Sequence, residues 1–530
     1  MTVAAALLCT ATLRAANPYL PLWEFIPDGE PHLFEDPDAP GKMRVYLFGS
    51  HDTRRRAFCG VDQVVWSAPA DDPRSWRFEG VAFRSITDGN GKRFPGHGDA
   101  LYAPDVAQTV APDGTKTYWL YPNNVANGRR NMIAKSDRPA GPYAVCNWTP
   151  GKPECTYGCI GFDPSVFIDD DGRAYAYWGG SRCVAAELDP ATMCTVKPGT
   201  KAVKDFISGW RSPGVFRFYE ASSMRKISGK YVFVYSRWTE DGEFGLPASN
   251  YTLAYAYSDG PLGPFKYGGT IIDGRGREKR PDGTVVFTAH PTGNTHGGLC
   301  KLAGRWWVFY HRQTGLTQFT RQAMVAPVTV EVEDGPGGAV RISEAELTSE
   351  GFETDGLDPF ERHAGGIACH YTGRVPAKSV DKLGYEFSGP YPEPTLRPIY
   401  YGEKDFWAAN VNRCRMVHVT DGSVVGYKYF DFSRTRGRKG LALEMRIEPH
   451  GFDATVEVWV GRPCAEEGGR KVGEFAISSK MRKRQVERIS APLPALAEVS
   501  GRQALYFIFS SPEKTRTLCY IEDFRFVSSP

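Results

Sequence analysis

Short apolar segments separated by glycine-containing turns run through residues 17–330, and no long stretch has the 3.6-residue period of an amphipathic helix. The clearest unit is GFDPSVFIDDDGRAYAYWGG, residues 161–180. Residues 166–168 predict one strand, Asp171-Gly172 predicts a two-residue hairpin turn, and residues 174–178 predict the returning strand. The unit therefore predicts one complete β-hairpin.

A polar residue stands just before or near the start of this hairpin and of four similar units. These residues are Asp28, Asp105, Asp163, Glu220 and His296, and the differences between their successive numbers are 77, 58, 57 and 76. Each is followed by a short strand, a turn containing glycine and a strand rich in aromatic residues. Such spacings are typical of the blades of a β-propeller, although somewhat long.

Five units of this kind fill residues 17–330 and predict a five-bladed β-propeller. If each polar residue opens the innermost strand of its blade, all five converge on one end of the central axis. The hairpin turn accounts for the acids of residues 169–171, but it does not need Asp163, which precedes Pro164 at the mouth of a sheet. A functional site is therefore expected at that end.

The composition changes near residue 330. Residues 331–365 are rich in glycine and acidic residues and predict a linker, whereas residues 366–530 show alternating strands and regular turns that predict a β-sandwich of the jelly-roll type. The whole chain is therefore expected to be all-β. The predicted sandwich strands are residues 416–420, 427–432, 441–447, 454–460, 471–477, 504–509 and 517–526.

The motifs PDGEP, FDPSVFIDDDG, FYEASSM, NTHGG and FTRQ, in this order, resemble glycoside hydrolase family 43, whose members are five-bladed propeller glycosidases. The resemblance extends from the start of the chain to about residue 330. It implies that Asp28 is the general base, Glu220 the general acid and Asp163 the residue that orients the acid and tunes its pKa. It also implies that His296 holds a calcium ion or a water molecule on the axis and that Arg321 belongs to the pocket.

The residue types suit this chemistry. An inverting glycosidase needs one carboxylic acid to protonate the leaving oxygen and one carboxylate to activate water, roughly 6.5 to 9.5 Å apart. A nearby ionised Asp163 would raise the pKa of the acid by like-charge repulsion. The DGEP form of the first motif departs from the commoner Asp-Pro, so Glu30 and Asp52 remain alternatives to Asp28 as the base.

Four further residues are candidate contacts to a sugar. His51 and Asp52 end a strand that should run toward the axis, with the alternative that they only fix the loop. Tyr102 lies in the corresponding region of the second blade. Asn123 suits hydroxyl recognition because an amide both donates and accepts hydrogen bonds. No cofactor is expected to be required, and a calcium ion at His296 would be structural.

The segments GSVVGYKYFDFS, ATVEVWVG, LYFIFS and CYIEDFRFV resemble a family 6 carbohydrate-binding module. The predicted sandwich would bind polysaccharide through exposed aromatic residues such as Trp407, or only cover one side of the propeller. The chain as a whole is expected to release a terminal pentose, foremost α-L-arabinofuranose, from plant polysaccharide. The alternatives are a β-xylosidase, an arabinan- or galactan-active hydrolase, and a carbohydrate-binding propeller that has lost catalysis.

The net charge of +3 is small for 530 residues, and the Lys and Arg residues are dispersed, so a nucleic-acid partner is not expected. Residues 1–16 resemble the end of a signal peptide and predict a secreted or periplasmic protein, with a lipid anchor on Cys9 as the alternative. No other segment is long and apolar enough to span a bilayer. The remaining cysteines predict local disulfides. Two groups are close in sequence: Cys146, Cys155 and Cys159 form one, and Cys183 and Cys194 form the other.

Overall fold

The computed structural model describes residues 16–54, 57–93, 98–378, 386–394 and 413–529. Most of the predicted signal peptide, Trp407 and the segment around it lie outside these residues. Regular structure in the described part is almost entirely β. The only helices there are five single-turn 3-10 segments, Glu243–Gly245, Gly365–Ile367, Phe432–Arg434, Ala465–Glu467 and Pro494–Glu498.

Five antiparallel sheets in sequence order build the chain up to Val328, which confirms the predicted five-bladed propeller. In four blades the strands pair strictly with their sequence neighbours in groups of four, and the fifth blade has three. The strands are β1 (Glu30–Glu35), β2 (Met43–Phe48), β3 (Asp62–Pro69), β4 (Arg77–Arg84), β5 (Asp105–Val110), β6 (Lys116–Tyr121), β7 (Ala134–Ser136), β8 (Ala144–Val145), β9 (Trp148–Thr149), β10 (Lys152–Thr156), β11 (Ser165–Ile168), β12 (Ala174–Trp178), β13 (Val184–Glu187), β14 (Val203–Lys204), β15 (Phe218–Ile227), β16 (Lys230–Arg237), β17 (Thr252–Ser258), β18 (Lys266–Asp273), β19 (Arg277–Lys279), β20 (Val285–Phe287), β21 (Leu299–Leu302), β22 (Arg305–Gln313) and β23 (Arg321–Val328).

The first strand of each blade lies innermost. Strand β11 contacts both β5 and β15, and β1 contacts β21, so the ring closes between the first and last blades. The N-terminal segment strengthens this closure, because Asn17 donates from its side-chain amide to the carbonyl of Val325 and accepts from the Val325 amide. The starts of five inner strands therefore surround one end of the axis.

Glycines permit the close packing of the last blade at the axis. A Cβ on Gly297 would lie 1.8 Å from the carbonyl oxygen of Phe309, and one on Gly298 would lie 2.6 Å from Oε2 of Glu30 and 2.7 Å from Oγ of Ser223. No side chain fits at such distances, so these two positions require glycine. The glycines beside His296 thus allow close backbone packing at the axis.

The second half of the chain forms a β-sandwich, as expected. Its strands and those of the connection before it are β24 (Val330–Val332), β25 (Val340–Ile342), β26 (His363–Ala364), β27 (His370–Thr372), β28 (Pro376–Lys378), β29 (Glu386–Ser388), β30 (Tyr391–Pro394), β31 (Cys414–Val419), β32 (Val424–Asp431), β33 (Ala442–Pro449), β34 (Ala454–Val460), β35 (Arg470–Ile477), β36 (Glu487–Pro492), β37 (Arg502–Ser510) and β38 (Cys519–Val527). Strands β30, β31, β38, β33 and β36, with β26 beside β38, form one sheet, and β27, β32, β37, β34 and β35 form the other. Their core includes Tyr427, Phe507 and Phe524, whose rings pack at 4.7 to 5.9 Å.

The segment predicted as a linker packs against both halves. Residues 330–342 form the hairpin β24–β25, and Tyr255 of the fourth blade accepts from the amide of Ile342 and donates to the carbonyl of Val340. Beyond it, Lys428 of the sandwich is buried between Glu278 and Glu346. The glycine and acidic residues that suggested a loose connection instead supply a turn and ion pairs at a packed junction.

All eleven cysteines in the described part of the chain are free thiols. The expectation of local disulfides among Cys146, Cys155, Cys159, Cys183 and Cys194 is therefore not met. Cys183 and Cys194 are fully buried and act as small apolar residues in two different hydrophobic clusters. No helix among the described residues is long and apolar enough to cross a membrane.

Candidate active site

A pocket of about 280 Å³ opens at the end of the propeller axis where the inner strands begin. Asp28, Asp163 and Glu220 all line it, so the three carboxyl groups singled out from the sequence meet in one cavity. Asp28 and Asp163 are nearly fully buried. Three acidic groups in a small buried pocket cannot all be ionised without a compensating cation.

Unusual backbone geometry aims these carboxyl groups. Asp28 and Asp163, just before β1 and β11, have left-handed φ angles of 58° and 49°, and Asn123 has 52°. Ala221, immediately after Glu220, has a φ of 70°, and the pairing of β15 with β16 shifts register on both sides of Glu220. Such bulges and strained residues re-aim side chains and cluster at functional sites.

Arg321 supplies the cation for Asp28. Its Nη1 lies 3.1 Å and 3.2 Å from the two carboxylate oxygens of Asp28, and Ser50 donates a hydrogen bond to the same group. Although burial alone would raise the pKa of Asp28, the charge of Arg321 and the hydrogen bond from Ser50 lower it below its usual value. Asp28 is therefore ionised at neutral pH, as a base must be.

Asp52 fixes Arg321 from behind. Its two oxygens accept from Nε and Nη2 of Arg321 at 2.9 Å each, and Oδ2 also accepts from the Arg321 amide at 3.0 Å. The ring of Phe58 lies 5.0 Å from the guanidinium carbon. A bidentate, fully buried pair of this kind holds Arg321 in one orientation toward Asp28.

His311 orients the backbone at Asp28. Its Nδ1 accepts from the Asp28 amide at 3.1 Å, and its Nε2 lies 2.8 Å from the carbonyl oxygen of Asn294. This pattern requires a neutral ring with the proton on Nε2. Burial lowers the pKa of His311 to about 3, in agreement with that assignment.

Glu220 and Asp163 share the opposite side of the pocket. Burial and the charge of Asp28 raise the pKa of Glu220 to about 7, and burial together with Glu220 and Asp28 raises the pKa of Asp163. The carboxylate of Asp163 accepts from Asn123 Nδ2 at 2.8 Å and from the Ala221 amide at 3.1 Å. These two N–H donors favour the charged form of Asp163 and therefore oppose the rise of its pKa.

Two of the predicted substrate contacts line the pocket, namely Tyr102 and Arg321. Asn123 holds Asp163 instead and does not belong to the lining. His51 and Asp52 also lie behind the wall: His51 is 1% exposed, and Asp52 is committed to Arg321. The prediction that these two residues contact sugar directly is therefore wrong, and the alternative of a loop-fixing role describes them better.

His51 is buried between two carboxylates. Its Nδ1 lies 2.9 Å from Asp62 Oδ1 and its Nε2 lies 3.3 Å from Glu24 Oε1. Burial by itself would lower the pKa of His51, but the hydrogen bonds and charges of Asp62 and Glu24 raise it to about 10. The imidazolium therefore contributes stability that is full below its unfolded pKa of about 6.5 and is lost as the pH rises through 10.

We therefore expect His51→Gln to lower the free energy of unfolding by about 3 kcal/mol at pH 6, because two buried carboxylates lose their cation. At pH 10 the loss should be clearly smaller, since the wild-type ring is then half neutral. Unfolding in urea at both pH values measures the difference. His450→Gln, in the sandwich, is the matched control, and an equal loss for His51→Gln at the two pH values would contradict the charged assignment.

Glu30, one of the alternatives for the base, lies deeper on the axis. Its carboxylate pairs with Arg225 and accepts from Ser223 at 2.9 Å. It is not among the residues that line the pocket. Asp52, the other alternative, faces Arg321, so only Asp28 of the three presents a carboxylate to the pocket.

Three potential metal ligands lie close together on the axis below the pocket. Glu30, His32 and Asp105 bring one ligand atom each within 4.8 Å of one another. However, His32 and Asp105 bond to each other at 2.6 Å, and Arg225 already neutralises Glu30. Calcium prefers six to eight oxygen ligands, so these residues do not fit the ion.

His296 lines the pocket itself. Its Nδ1 lies 3.7 Å from Asp163 Oδ2 and makes no hydrogen bond to a described residue. A neutral imidazole nitrogen at this place suits a water molecule better than a hard cation. That His296 holds calcium or water stays a prediction.

Sequence reasoning missed several residues of the site. His311 and Asn294 orient Asp28, and Phe58, Phe162 and Tyr219 give the pocket aromatic walls. His311 belongs to the aromatic strand RWWVFYHRQ, which reads as an ordinary core strand. Only its position opposite Asp28, which lies in the first blade at the other end of the propeller sequence, reveals the contact.

A five-bladed propeller with three carboxyl groups in one axial pocket, one with a lowered pKa and one with a pKa raised to about 7, is the arrangement that a glycoside hydrolase needs for general acid and base catalysis. The chain belongs to the glycosyl hydrolases of family 43, whose family model matches residues 43–336.

Proteins from bacteria and fungi are similar in sequence to this chain. The chain is 30% identical over 524 residues to a xylosidase/arabinosidase of Thermoclostridium stercorarium, a match that covers 95% of this chain and 98% of the relative. It is 28% identical over 314 residues to xylosidase/arabinosidase 43A of Humicola insolens, covering 51% and 84%. It is 30% identical over 302 residues to an arabinoxylan arabinofuranohydrolase of Paenibacillus polymyxa, covering 51% and 43%.

Proposed function

We propose that this glycoside hydrolase releases a terminal pentose, foremost α-L-arabinofuranose, from xylan-type plant polysaccharide or its oligosaccharides, with inversion at the anomeric carbon. The observation that supports the proposal is that Asp28, whose pKa is lowered, and Glu220, whose pKa is raised to about 7, line one pocket. The small volume of the pocket suits one terminal sugar. The names of the relatives, xylosidase/arabinosidase and arabinoxylan arabinofuranohydrolase, support a pentose.

In this mechanism Glu220 donates its proton to the leaving oxygen while the bond from that oxygen to the anomeric carbon breaks. Asp28 takes a proton from a water molecule whose oxygen attacks the anomeric carbon from the opposite face. Arg321 keeps Asp28 ionised before the reaction, and Asp163 keeps the proton on Glu220. Asp52 and His311 act through Arg321 and the Asp28 backbone as positioning residues.

Release of β-D-xylose is the second candidate. The specific observation in its favour is that the relative matched over nearly the whole chain carries both activities in its name. We further propose that the protein is exported, on the basis of the apolar segment at residues 3–12. Sequencing of the mature N-terminus from a cell-fractionation experiment tests export, and retention of residues 1–16 in a cytosolic fraction would refute it.

A panel of nitrophenyl glycosides (α-L-arabinofuranoside, β-D-xyloside and β-D-galactoside) tests the substrate. We expect release from the arabinofuranoside, and NMR of the first-formed anomer should show inversion. Release from the xyloside alone would favour the second candidate. No release from any glycoside, arabinan or xylan, with sugar binding retained, would replace the proposal by a carbohydrate-binding propeller.

The pH profile should follow the two carboxyl groups. Activity needs Glu220 protonated and Asp28 ionised, so kcat/KM should fall as the pH rises through about 7 and again as it drops below the lowered pKa of Asp28. The pH profiles of Glu220→Gln and of the wild type should be compared on a substrate with a good leaving group, because the variant keeps measurable activity on it. The variant should lose the alkaline fall, because an amide does not titrate, and an unchanged alkaline fall would assign that limb to another group.

A further inference from the structure

A cluster of aromatic side chains lies beside Glu220 and outside the machinery described above. Tyr219, which precedes Glu220 on β15, lines the pocket. The ring of Trp238 lies 5.4 Å from Tyr219, and that of Trp210 lies 4.8 Å from Trp238 and 6.0 Å from Tyr219. All three residues are only partly buried. We call these three residues the aromatic ledge.

The backbone holds the ledge in place. The amide of Trp210 donates to the carbonyl of Phe218 at 2.9 Å, and the amide of Trp238 donates to the carbonyl of Arg217 at 3.0 Å. Nε of Arg217 in turn donates to the carbonyl of Trp238 at 3.0 Å. Two loops are thus tied to the start of the strand that carries Glu220, so the ledge is anchored beside the acid.

An exposed cation extends the ledge. The guanidinium carbon of Arg211 lies 4.6 Å from the ring of Trp210, and this side chain makes no hydrogen bond or ion pair to a described residue. Stacking on an aromatic face fixes a guanidinium while leaving its N–H donors available. Residues 211–215 are all exposed, so this surface is open to a ligand that leaves the pocket.

The ledge lies beside the general acid, and this position determines which part of the substrate contacts it. The general acid protonates the oxygen that joins the terminal sugar to the rest of the substrate, so the remaining sugar chain lies on the Glu220 side of the pocket. On the Asp28 side, Arg321, Asp52 and Phe58 close the wall. The sugar chain attached to the leaving oxygen (here called the sugar acceptor) therefore extends from the pocket across Tyr219 toward Trp238 and Trp210.

We infer that the aromatic ledge is the binding subsite for a pyranose of the sugar acceptor, whose flat C–H face stacks on Trp238 and Trp210 while Arg211 donates to its hydroxyl groups. This inference rests on the proposed function for its orientation, because it takes Glu220 as the acid. It gives the enzyme a preference for substrates in which the terminal pentose is linked to a pyranose. Small ring-free leaving groups gain nothing from the ledge.

The test compares Trp238→Ala with wild type on two substrates, an arabinosylated xylo-oligosaccharide and the glycosyl fluoride of the same pentose, which has no acceptor ring. Trp238→Ala removes the aromatic stacking surface, so the ratio of kcat/KM between oligosaccharide and fluoride should fall roughly tenfold. The loss should lie mainly in KM, and Trp238→Phe should restore most of it. Trp459→Ala, a partly buried tryptophan of the sandwich, is the matched control.

Equal losses on the two substrates would show that Trp238 only packs the blade, and an unchanged ratio would show that the acceptor does not reach it. Either result overturns the inference. A binding experiment separates it from the proposed function. In Glu220→Gln, which should not turn over the ligand, Trp238→Ala should weaken xylotriose binding about tenfold but not binding of the free pentose. If the wild type hydrolyses nothing and this difference remains, the proposed function fails while the ledge stands.

Discussion

Glu220→Gln is expected to lower kcat on natural oligosaccharides by roughly 10² to 10⁴-fold, the usual contribution of a general acid. Glutamine keeps the shape of the side chain but cannot donate a proton to the leaving oxygen. The loss should shrink on substrates with a good leaving group, such as a dinitrophenyl glycoside, because their oxygen leaves without protonation. Steady-state kinetics on a series of leaving groups measures this dependence.

Glu240→Gln is the matched control for this variant. Glu240 lies on the same blade, pairs with Arg217 and is 64% exposed, so its neutralisation should leave the kinetics unchanged. If Glu220→Gln lost the same factor on every leaving group, Glu220 would not be the acid. If it lost nothing, catalysis would have to be assigned to a different group in the pocket.

Asp28→Asn is expected to cause a loss of similar size on every substrate, whatever its leaving group. The amide cannot accept the proton of the attacking water, and this step is required even when the leaving group departs by itself. The leaving-group series therefore distinguishes the two roles. The loss of activity should depend strongly on the leaving group for Glu220→Gln and should not depend on it for Asp28→Asn. Binding of the released pentose, measured by calorimetry, should survive in both variants.

Asp38→Asn serves as the control in the first blade, since this carboxylate is 62% exposed and pairs with Arg138 at the surface. Asp28 also balances the buried charge of Arg321, so the variant needs a check of folding by thermal unfolding. A folded Asp28→Asn with full activity would exclude Asp28 as the base. Glu30→Gln would not then replace it, because Glu30 faces Arg225 below the pocket.

The architecture could be predicted because it follows from local rules. Strand alternation, turn residues such as Asp171-Gly172 and the repeat from Asp28 to His296 each depend on residues close in sequence, and the structure confirms the propeller and the sandwich that they predict. A polar residue at the start of an inner strand must also lie near the axis, so the meeting of Asp28, Asp163 and Glu220 followed from the repeat. Their catalytic roles remain predictions.

Other expectations failed because they concerned side-chain direction. His51 and Asp52 follow a strand toward the axis, yet they turn behind the wall to Asp62 and Arg321. Cys146, Cys159 and Cys194 pack in one hydrophobic cluster and Cys183 in another, yet all four are free thiols. Proximity along the chain does not determine which way a side chain points once the strand ends.

The sequence by itself determined the five-bladed propeller, the sandwich and the set of acidic residues at the axis, since periodicity and turn chemistry act over a few residues. Only the tertiary structure decided which carboxyl group holds a proton. Asp28 pairs with Arg321 from the opposite end of the propeller sequence, which lowers the pKa of Asp28. Desolvation and the charge of Asp28 raise the pKa of Glu220 to about 7. Burial and long-range charge pairing have no local signature in a sequence, because both arise when distant blades close around one axis.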